Sequence, residues 1–173
     1  EKYLDISGFS NKFLNYLHEG FYSLSSPIWS NFGRDRGLPI SCFGSYIPDE
    51  MEQILYKVAE VGTMSKVGGG TSGYFGDIRE RGAPISSGGT ATGVHPQLTV
   101  FESLTNYVSQ SNVRRGSFAA YLPVDHPDIE EFLRIKSEGD AIQDLSIGVC
   151  ITDEWMESML GGDTSKRSIW GKI

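Results

Sequence analysis

Glycines and arginines occur together in two segments of the sequence, and this combination is suited to binding phosphate groups. The segment 62–93 holds ten of the 21 glycines and contains Arg79 and Arg81, and the polar segment 109–116 contains Arg114. Glycine lets the backbone approach an anion closely, and a guanidinium group binds two phosphate oxygens at once. The same composition also fits solvated surface loops, so phosphate binding and simple connection both remain open.

The two cysteines, Cys42 and Cys150, are far apart in sequence and form no CxxC motif. This usage indicates free thiols in a reducing compartment. Cys150 lies in an apolar strand pattern and is expected to fill the core. Cys42 lies beside Ser41 and is soon followed by a helix N-terminus, which could favour a thiolate. An inert buried thiol and a reactive one both remain possible for Cys42.

The residues 68–73 (GGGTSG) match the spacing of the dinucleotide-binding fingerprint G-x-G-x-x-G. That fingerprint functions only between a strand and a following helix, whose N-terminus then meets the pyrophosphate. Here a helical pattern precedes the glycines, and residues 74–89 show no helical periodicity. We therefore reject a Rossmann-type site, and no phosphate-binding P-loop motif is present.

Strand and helix patterns alternate along the chain, which predicts an α/β fold with a largely parallel sheet. Segments 25–27 and 31–37 are predicted as loops. The predicted strands are 38–47, 118–122 and 145–151. The predicted helices are 11–19, a helix that begins at Pro48 and stops before Gly62, 95–108, a helix opened by 125–127 that runs to Ile135, and 153–160.

Composition narrows the classes of function. The 15 basic and 22 acidic side chains give a net charge of −7, which argues against a nucleic-acid partner. Hydrophobic residues make up 39% of the chain, which argues against a disordered protein, and no apolar run is long enough to span a membrane. The three histidines have no ligand-spaced partners, so no metal site is expected.

The sequence resembles the large subunit of ribonucleotide reductase in short segments that follow one another along almost the whole chain. These are 26–28 (SPI), 38–43 (LPISCF), Asp49, 68–69 (GG), 77–85 (DIRERGAPI), 107–110 (YVSQ), 114–119 (RRGSFA), 126–133 (HPDIEEFL) and 152–156 (TDEWM). Each segment alone is weak evidence for this family, but all of them occurring in the same order along the chain is strong evidence for it.

The resemblance implies a ten-stranded α/β barrel, of which residues 1–173 supply the N-terminal half as one partial catalytic domain. It implies reduction of ribonucleotides to deoxyribonucleotides by a thiol-dependent radical mechanism. Cys42 matches the family's substrate-facing cysteine, which reduces the ribose and then forms a disulfide with a second cysteine. The residues that match the substrate-binding positions are Ser26, Ser41, Gly68 and Gly69.

The resemblance also implies allosteric control by a bound nucleotide. Asp49 and Arg79 match a specificity site that binds a deoxynucleoside triphosphate, or ATP, together with Mg²⁺ at a dimer interface. Gln110 and Arg114 fall in the loop that reports the identity of this effector to the substrate. Binding of the effector is therefore expected to select which ribonucleotide is reduced.

The sequence departs from the family pattern at Ser86, where many relatives carry a second phosphate-binding arginine, and Arg81 is the candidate to replace it. Cys150 does not match the second cysteine of the redox pair. That cysteine, and the radical-bearing cysteine with its glutamate and asparagine, are expected after Ile173. An activity-sensing domain is expected before Glu1, so the chain is interpreted as an internal piece of a longer protein that is inactive by itself.

The resemblance further implies a cytoplasmic ribonucleoside-diphosphate reductase that forms a homodimer. Its radical comes from a metal-containing small subunit, and thioredoxin or glutaredoxin is its reductant; no cofactor is expected on this segment itself. Two alternatives stay open. One is a class II enzyme that uses adenosylcobalamin, and the other is a noncatalytic module that senses deoxynucleotides.

Overall fold

A computed structural model describes residues 6–35, 37–108 and 116–173. Within these ranges the chain forms seven helices and four strands. The helices are α1 (Phe9–His18), α2 (Ser26–Asn31), α3 (Met51–Lys66), α4 (Val94–Val108), α5 (Ile129–Phe132), α6 (Asp153–Leu160) and α7 (Thr164–Trp170). The strands are β1 (Cys42–Tyr46), β2 (Gly70–Tyr74), β3 (Ser117–Pro123) and β4 (Ser146–Cys150). None of the helices in these ranges is long and apolar enough to cross a membrane.

The chain divides into two units, Glu1–Ile40 and Ser41–Ile173. In the first unit, the hydroxyl of Tyr22 donates to the carbonyl oxygen of Phe13 at 2.6 Å, and the two rings lie 5.2 Å apart. These contacts hold the chain that leaves α1 against that helix. The second unit contains the sheet and the other five helices. The interpretation of residues 1–173 as one partial domain stays a prediction.

The four strands form one fully parallel sheet in the order β1-β2-β3-β4, which confirms the predicted α/β class. The helices α3 and α4 pack against β1, β2 and β3, so each helix returns the chain to start the next parallel strand. Strand β1 is shorter than its prediction, because the pairing with β2 begins only at Cys42 and Gly70. A right-handed series of such units is the arrangement from which α/β barrels are built.

Strand β2 was not predicted, because the sequence GTSGY has little β-propensity. Its formation follows from packing around Gly73. A Cβ atom there would lie 2.8 Å from the ring of Phe118 and 3.0 Å from that of Phe75. The ring of Phe101 completes this aromatic core, stacked 4.8 Å from Phe118. Only glycine therefore lets β2 approach the core closely enough to pair with β3.

The helical predictions agree with the structure for α1, α4 and α6, while α5 ends at Phe132 rather than at Ile135. The prediction that Gly62 stops α3 was wrong, because α3 continues to Lys66 and Gly62 packs inside it against Leu104. Two other helices differ. The segment 25–27, predicted as loop, enters α2, because proline is accepted in the first helical turn. Helix α7 was not predicted, although Asp163 caps it by accepting hydrogen bonds from two backbone N–H groups.

One face of the sheet is turned away from the buried core, and we call it the open face. Its residues alternate along each strand with those of the core. Small side chains occupy most of it, and a row of three tyrosines crosses it at one end. The open face consists of Cys42, Gly44, Tyr46, Gly70, Ser72, Tyr74, Ser117, Ala119, Tyr121, Pro123, Ser146, Gly148 and Cys150. The expectation that Cys150 fills the core was wrong, because Ile147 and Val149 are the residues of β4 that pack against the core.

Candidate functional site

The predicted site residues of the second unit lie at two opposite ends of the sheet. The amino end, where the strands begin, carries Ser41, Cys42 and the turn that enters β2. The carboxyl end, where the strands finish, leads to Asp49 and Arg79. The five residues of β1 separate these ends by about 13 Å along the strand. The predicted substrate residues and effector residues are thus held apart by the same strands.

At the amino end, the thiol of Cys42 is exposed on the open face. The hydroxyl of Ser41 lies 3.8 Å from the Cys42 sulfur, and the carbonyl oxygen of Ser41 accepts a hydrogen bond from Gly70 N–H at 2.6 Å. The sequence suggested that a helix N-terminus would adjoin this thiol. That suggestion was wrong, because α3 begins beyond the opposite end of β1.

The turn of Gly68 and Gly69 ends α3 and brings the chain beside Cys42. Gly68 N–H donates to Ser65 and Gly69 N–H donates to Met64, the pattern of a Schellman cap, and Gly68 has the matching φ of 86°. A Cβ atom on Gly69 would lie 2.4 Å from the ring of Phe43. The space beside Gly69 is therefore filled by Phe43, whereas a Cβ atom on Gly68 would meet no atom within 4 Å. Because both N–H groups are already bonded, Gly68 offers a ligand open space and not a hydrogen-bond donor.

At the carboxyl end, Asp49 and Arg79 form an ion pair. The Arg79 Nε donates to Asp49 Oδ2 at 2.5 Å, and its Nη1 donates weakly to the carbonyl oxygen of Pro84 at 3.4 Å. Within the described residues, the Arg79 Nη2 makes no hydrogen bond to the protein, and the side chain is 39% exposed. The carboxylate therefore orients the guanidinium group while leaving one edge of it available to an anion.

Two tyrosines and Asp77 extend this end of the sheet, and the sequence did not single them out. The hydroxyl of Tyr46 donates a short hydrogen bond to Asp77, which raises the pKa of Tyr46. Burial, followed by the charge of Asp77, raises the pKa of Tyr74. Both hydroxyls thus remain neutral donors at physiological pH, and their rings stack with centroids 6.4 Å apart.

The segment after Arg79 folds back on itself as a short hairpin. The residues Pro84 and Thr90 form an antiparallel bridge, and Ala91 N–H donates to the carbonyl oxygen of Ala83 at 2.8 Å. The tip turns through Gly88 and Gly89, whose φ values of 91° and 95° lie in the left-handed region. These two glycines of the glycine-rich segment therefore form an ordered turn. Ser86 lies exposed near this tip.

Arg81 is held by a different partner from Arg79. Its guanidinium group makes two hydrogen bonds to Glu131 on α5, of 3.1 and 2.6 Å. The hydrogen bond to Glu131 raises the pKa of Arg81. A phosphate at Arg81 would have to share or displace this carboxylate. Its role at an effector site stays a prediction.

The remaining predicted residues are not brought into either end by the described structure. Ser26 lies exposed at the start of α2 in the first unit. Gln110 and Arg114 lie outside the described residues. In the ranges that the structure does describe, no group of three or more metal-ligating side chains comes together.

Comparison with known proteins gives a consistent match. A family model described as ribonucleotide reductase, barrel domain, matches residues 40–166. Among solved structures, the Actinobacillus ureae class Id ribonucleotide reductase alpha subunit is similar, at 49% identity and a TM-score of 0.82. This similarity covers 97% of the chain and 31% of that subunit.

Curated relatives agree with this match. The chain is 36% identical to the ribonucleoside-diphosphate reductase large subunit of Invertebrate iridescent virus 6, over 86% of its length. It is 31% identical to the vitamin B12-dependent ribonucleoside-diphosphate reductase of Mycobacterium tuberculosis (strain CDC 1551 / Oshkosh), over 87% of its length. The chain spans only 15% and 22% of these two relatives.

Proposed function

The chain belongs to the ribonucleotide reductase barrel domain family, and we propose that it forms part of the catalytic large subunit of a class I ribonucleoside-diphosphate reductase. The observation that carries this proposal is the exposed Cys42 thiol at the amino end of β1, beside Ser41 and the glycine turn that enters β2. A thiol in that position can reach a ribose bound over the open face. The partial barrel seen here is consistent with the share of the relatives that the chain covers.

In the proposed reaction, the 2′-hydroxyl of a ribonucleoside diphosphate is replaced by hydrogen and its oxygen leaves as water. Two thiols supply the two electrons and two hydrogen atoms, and their sulfurs join in a disulfide. We assign one thiol to Cys42. Thioredoxin or glutaredoxin then reduces the disulfide and restores both thiols.

The second thiol is not that of Cys150. Cys150 pairs with Pro123 at the carboxyl end of the sheet, whereas Cys42 aligns with Ser117 at the amino end. Ser117 and Pro123 are the first and last of the seven residues of β3, so these two levels lie about 20 Å apart along the strand. A disulfide needs Cα atoms within about 7 Å. The redox partner of Cys42 must therefore come from outside the described residues.

We assign substrate contacts to Ser41, Gly68 and Gly69 at the amino end. The role of Ser26, which belongs to the first unit, stays a prediction from the resemblance. The hydroxyl of Ser41 is close enough to Cys42 to bind the same sugar. Gly68 leaves room for the substrate to lie against the backbone, and Gly69 lets the turn pack closely against Phe43. Their N–H groups are occupied by the helix cap, so their part is to shape the pocket.

A class I mechanism is favoured by the greater similarity to the class Id structure, at 49% identity, than to the vitamin B12-dependent relative, at 31%. In a class I enzyme the radical is generated by a metal-containing small subunit. The adenosylcobalamin-dependent mechanism is the alternative, and both use the same reducing thiols. The source of the radical therefore has to be determined by experiment.

We assign the specificity site to the carboxyl end, where Arg79 and Asp49 lie together. A deoxynucleoside triphosphate with Mg²⁺, or ATP, would place its phosphates at the free edge of the Arg79 guanidinium. Gln110 and Arg114 are proposed to report the bound base to the substrate. Arg81 contributes only to the extent that Glu131 releases it.

We further propose that α3 and α4 pack against the same helices of a second copy. They share an exposed apolar groove lined in part by Leu55, Val58, Gly62, Leu104 and Tyr107. Leu55 and Tyr107 are 59% and 75% exposed. An apolar face on two adjacent helices matches itself across a two-fold axis, which gives a four-helix contact.

The dimer proposal predicts that Leu55→Glu weakens self-association of the complete subunit by about 100-fold, because an unpaired carboxylate would be buried at the interface. Analytical ultracentrifugation over a range of concentrations measures this change. Leu160→Glu is the matched control, since Leu160 is 68% exposed on α6. Equal dimerisation of the wild type and Leu55→Glu would exclude this surface.

The proposed activity is tested by assaying the complete subunit with cytidine diphosphate, a dithiol and either the small subunit or adenosylcobalamin. Formation of deoxycytidine diphosphate only with the small subunit supports the class I proposal. Formation with adenosylcobalamin alone identifies a class II enzyme. Binding of deoxynucleoside triphosphate without any reduction identifies a sensing module and overturns the catalytic assignment.

A further inference from the structure

A buried turn after β3 contacts the segment that carries Arg79 at both of its ends. The residues of this turn that matter are His126 and Asp128, which are 6% and 9% exposed. The sequence analysis placed them near the start of a helix and within the segment 126–133 of the resemblance, and it assigned them no role. We propose that His126 and Asp128 are positioning residues that fix the backbone around Arg79 and so set the affinity of the specificity site for its effector. This inference rests on the effector assignment made above.

The hydrogen bonds of His126 hold the residue just before Arg79. The His126 Nδ1 accepts from Asp128 N–H at 3.0 Å, so the ring proton lies on Nε2. The Nε2–H then donates to the carbonyl oxygen of Ile78 at 2.7 Å. Ile78 is itself buried, so its carbonyl oxygen depends on this protein donor.

The carboxylate of Asp128 holds the residues on the other side of Arg79. It accepts from Arg81 N–H at 3.1 and 3.3 Å, and from Val94 N–H at 3.1 Å. Val94 is the first residue of α4. The Asp128 side chain thus joins the backbone just after Arg79 to the first residue of α4. Both are thereby tied to the turn after β3.

The close fit at Gly93 shows how little room this connection leaves. Gly93 is buried, with a φ of 78°, and a Cβ atom there would lie 2.5 Å from Asp128 Oδ2 and 3.0 Å from Arg81 N. A second link runs from Arg81 to Glu131, on the helix that follows the turn. The backbone on both sides of Arg79 is therefore fixed to the turn after β3, and the side chain of Arg81 is fixed to α5, while the Arg79 guanidinium group stays partly exposed.

This arrangement has a chemical consequence for a triphosphate ligand. A guanidinium group binds phosphate oxygens in pairs only when its plane is correctly directed. The Asp49 carboxylate directs the side chain of Arg79, and His126 and Asp128 direct its backbone. Loss of the backbone anchors would let Arg79 sample positions from which it misses the phosphates, and the ligand would then have to restore the order at a cost in affinity.

The test uses a double-mutant cycle in the complete subunit with Asp128→Asn, Arg79→Ala and the double variant. The Kd of dTTP and of dGTP, each with Mg²⁺, is measured by calorimetry. We expect Asp128→Asn to raise Kd about tenfold, the value of one hydrogen bond to a charged group. In the Arg79→Ala background the same change should have no further effect, because Asp128 acts through Arg79. Asp125→Asn, an exposed carboxylate of the same turn, is the matched control.

A second variant covers the case in which Asp128→Asn does not fold. His126→Asn keeps an acceptor near Asp128 N–H but removes the donor to Ile78, on the other side of Arg79. We expect a similar rise in Kd. The dTTP concentration that gives half-maximal stimulation of reduction should rise in parallel, while the rate at saturating dTTP stays within about twofold, since the ligand restores the same geometry.

The outcomes separate this inference from the function on which it rests. If Arg79→Ala leaves Kd unchanged, the effector assignment fails and this inference fails with it. If Arg79→Ala weakens binding but the folded turn variants bind normally, only the positioning role is overturned. Additive losses in the double variant also overturn it, because they show that Asp128 acts independently of Arg79.

Discussion

Replacing Cys42 with serine in the complete subunit is expected to reduce multiple-turnover reduction to background. A serine hydroxyl cannot form the disulfide that carries away two electrons from the dithiol pair, so the electron balance of the reaction cannot be closed. The exposed position of Cys42 at the amino end of β1 makes it the thiol available to a ribose on the open face. Steady-state formation of deoxynucleotide with a dithiol reductant measures the effect.

Cys150→Ser is the matched control for this prediction. Cys150 lies at the other end of the sheet, on the strand farthest from β1, and is partly buried. Its substitution should leave turnover close to that of the wild type. Normal multiple turnover by Cys42→Ser, with the folded state verified by circular dichroism, would remove the assignment of Cys42 as a reducing thiol.

The second large effect is expected for Arg79→Ala at the specificity site. Removing a guanidinium that binds phosphate costs about 1.5–3 kcal/mol, which corresponds to a rise in Kd of about 10- to 100-fold. The variant also leaves the carboxylate of Asp49 without its cation, and this negative charge repels a triphosphate. Calorimetric titration with dTTP and dGTP in the presence of Mg²⁺ measures the loss.

Arg134→Ala serves as the control for Arg79→Ala, because its side chain is 73% exposed and its contact with Glu130 is 4.0 Å long. This change should leave the affinity for both nucleotides unaltered. Asp49→Asn provides a further comparison, since it keeps the size of the side chain and removes the charge that orients Arg79. An unchanged Kd for Arg79→Ala would exclude the carboxyl end of the sheet as the effector site.

The class of fold could be predicted from the sequence because its signals are local. The helical spacing of α3 and α4 and the apolar strands β3 and β4 are set by side chains that face one shared core. Strand β2 could not be predicted in the same way. Its residues favour a strand only because Gly73 fits between Phe75 and Phe118, and both of these contacts depend on the assembled core.

In the candidate site, too, some contacts could be predicted from the sequence and others could not. The association of Asp49 with Arg79 was expected from the resemblance, and the structure brings the two into contact. The buried contacts of His126 and Asp128 had no signal in the sequence, because they bind backbone atoms 34 to 48 positions away. Backbone atoms are the same in every residue, so such pairings leave no trace in residue type or spacing.

The open face has a consequence for the chemical reactivity of the chain. Parallel sheets are almost always covered on both faces, and here the core covers one of them. The thiol of Cys42 stands on the other, among glycine, serine and alanine side chains that offer little shielding. In the 173-residue chain alone, an alkylating reagent such as iodoacetamide should therefore modify Cys42 as readily as a solvated thiol. In the complete subunit a closed barrel would slow that modification, so the alkylation rate of one residue reports whether the barrel has closed.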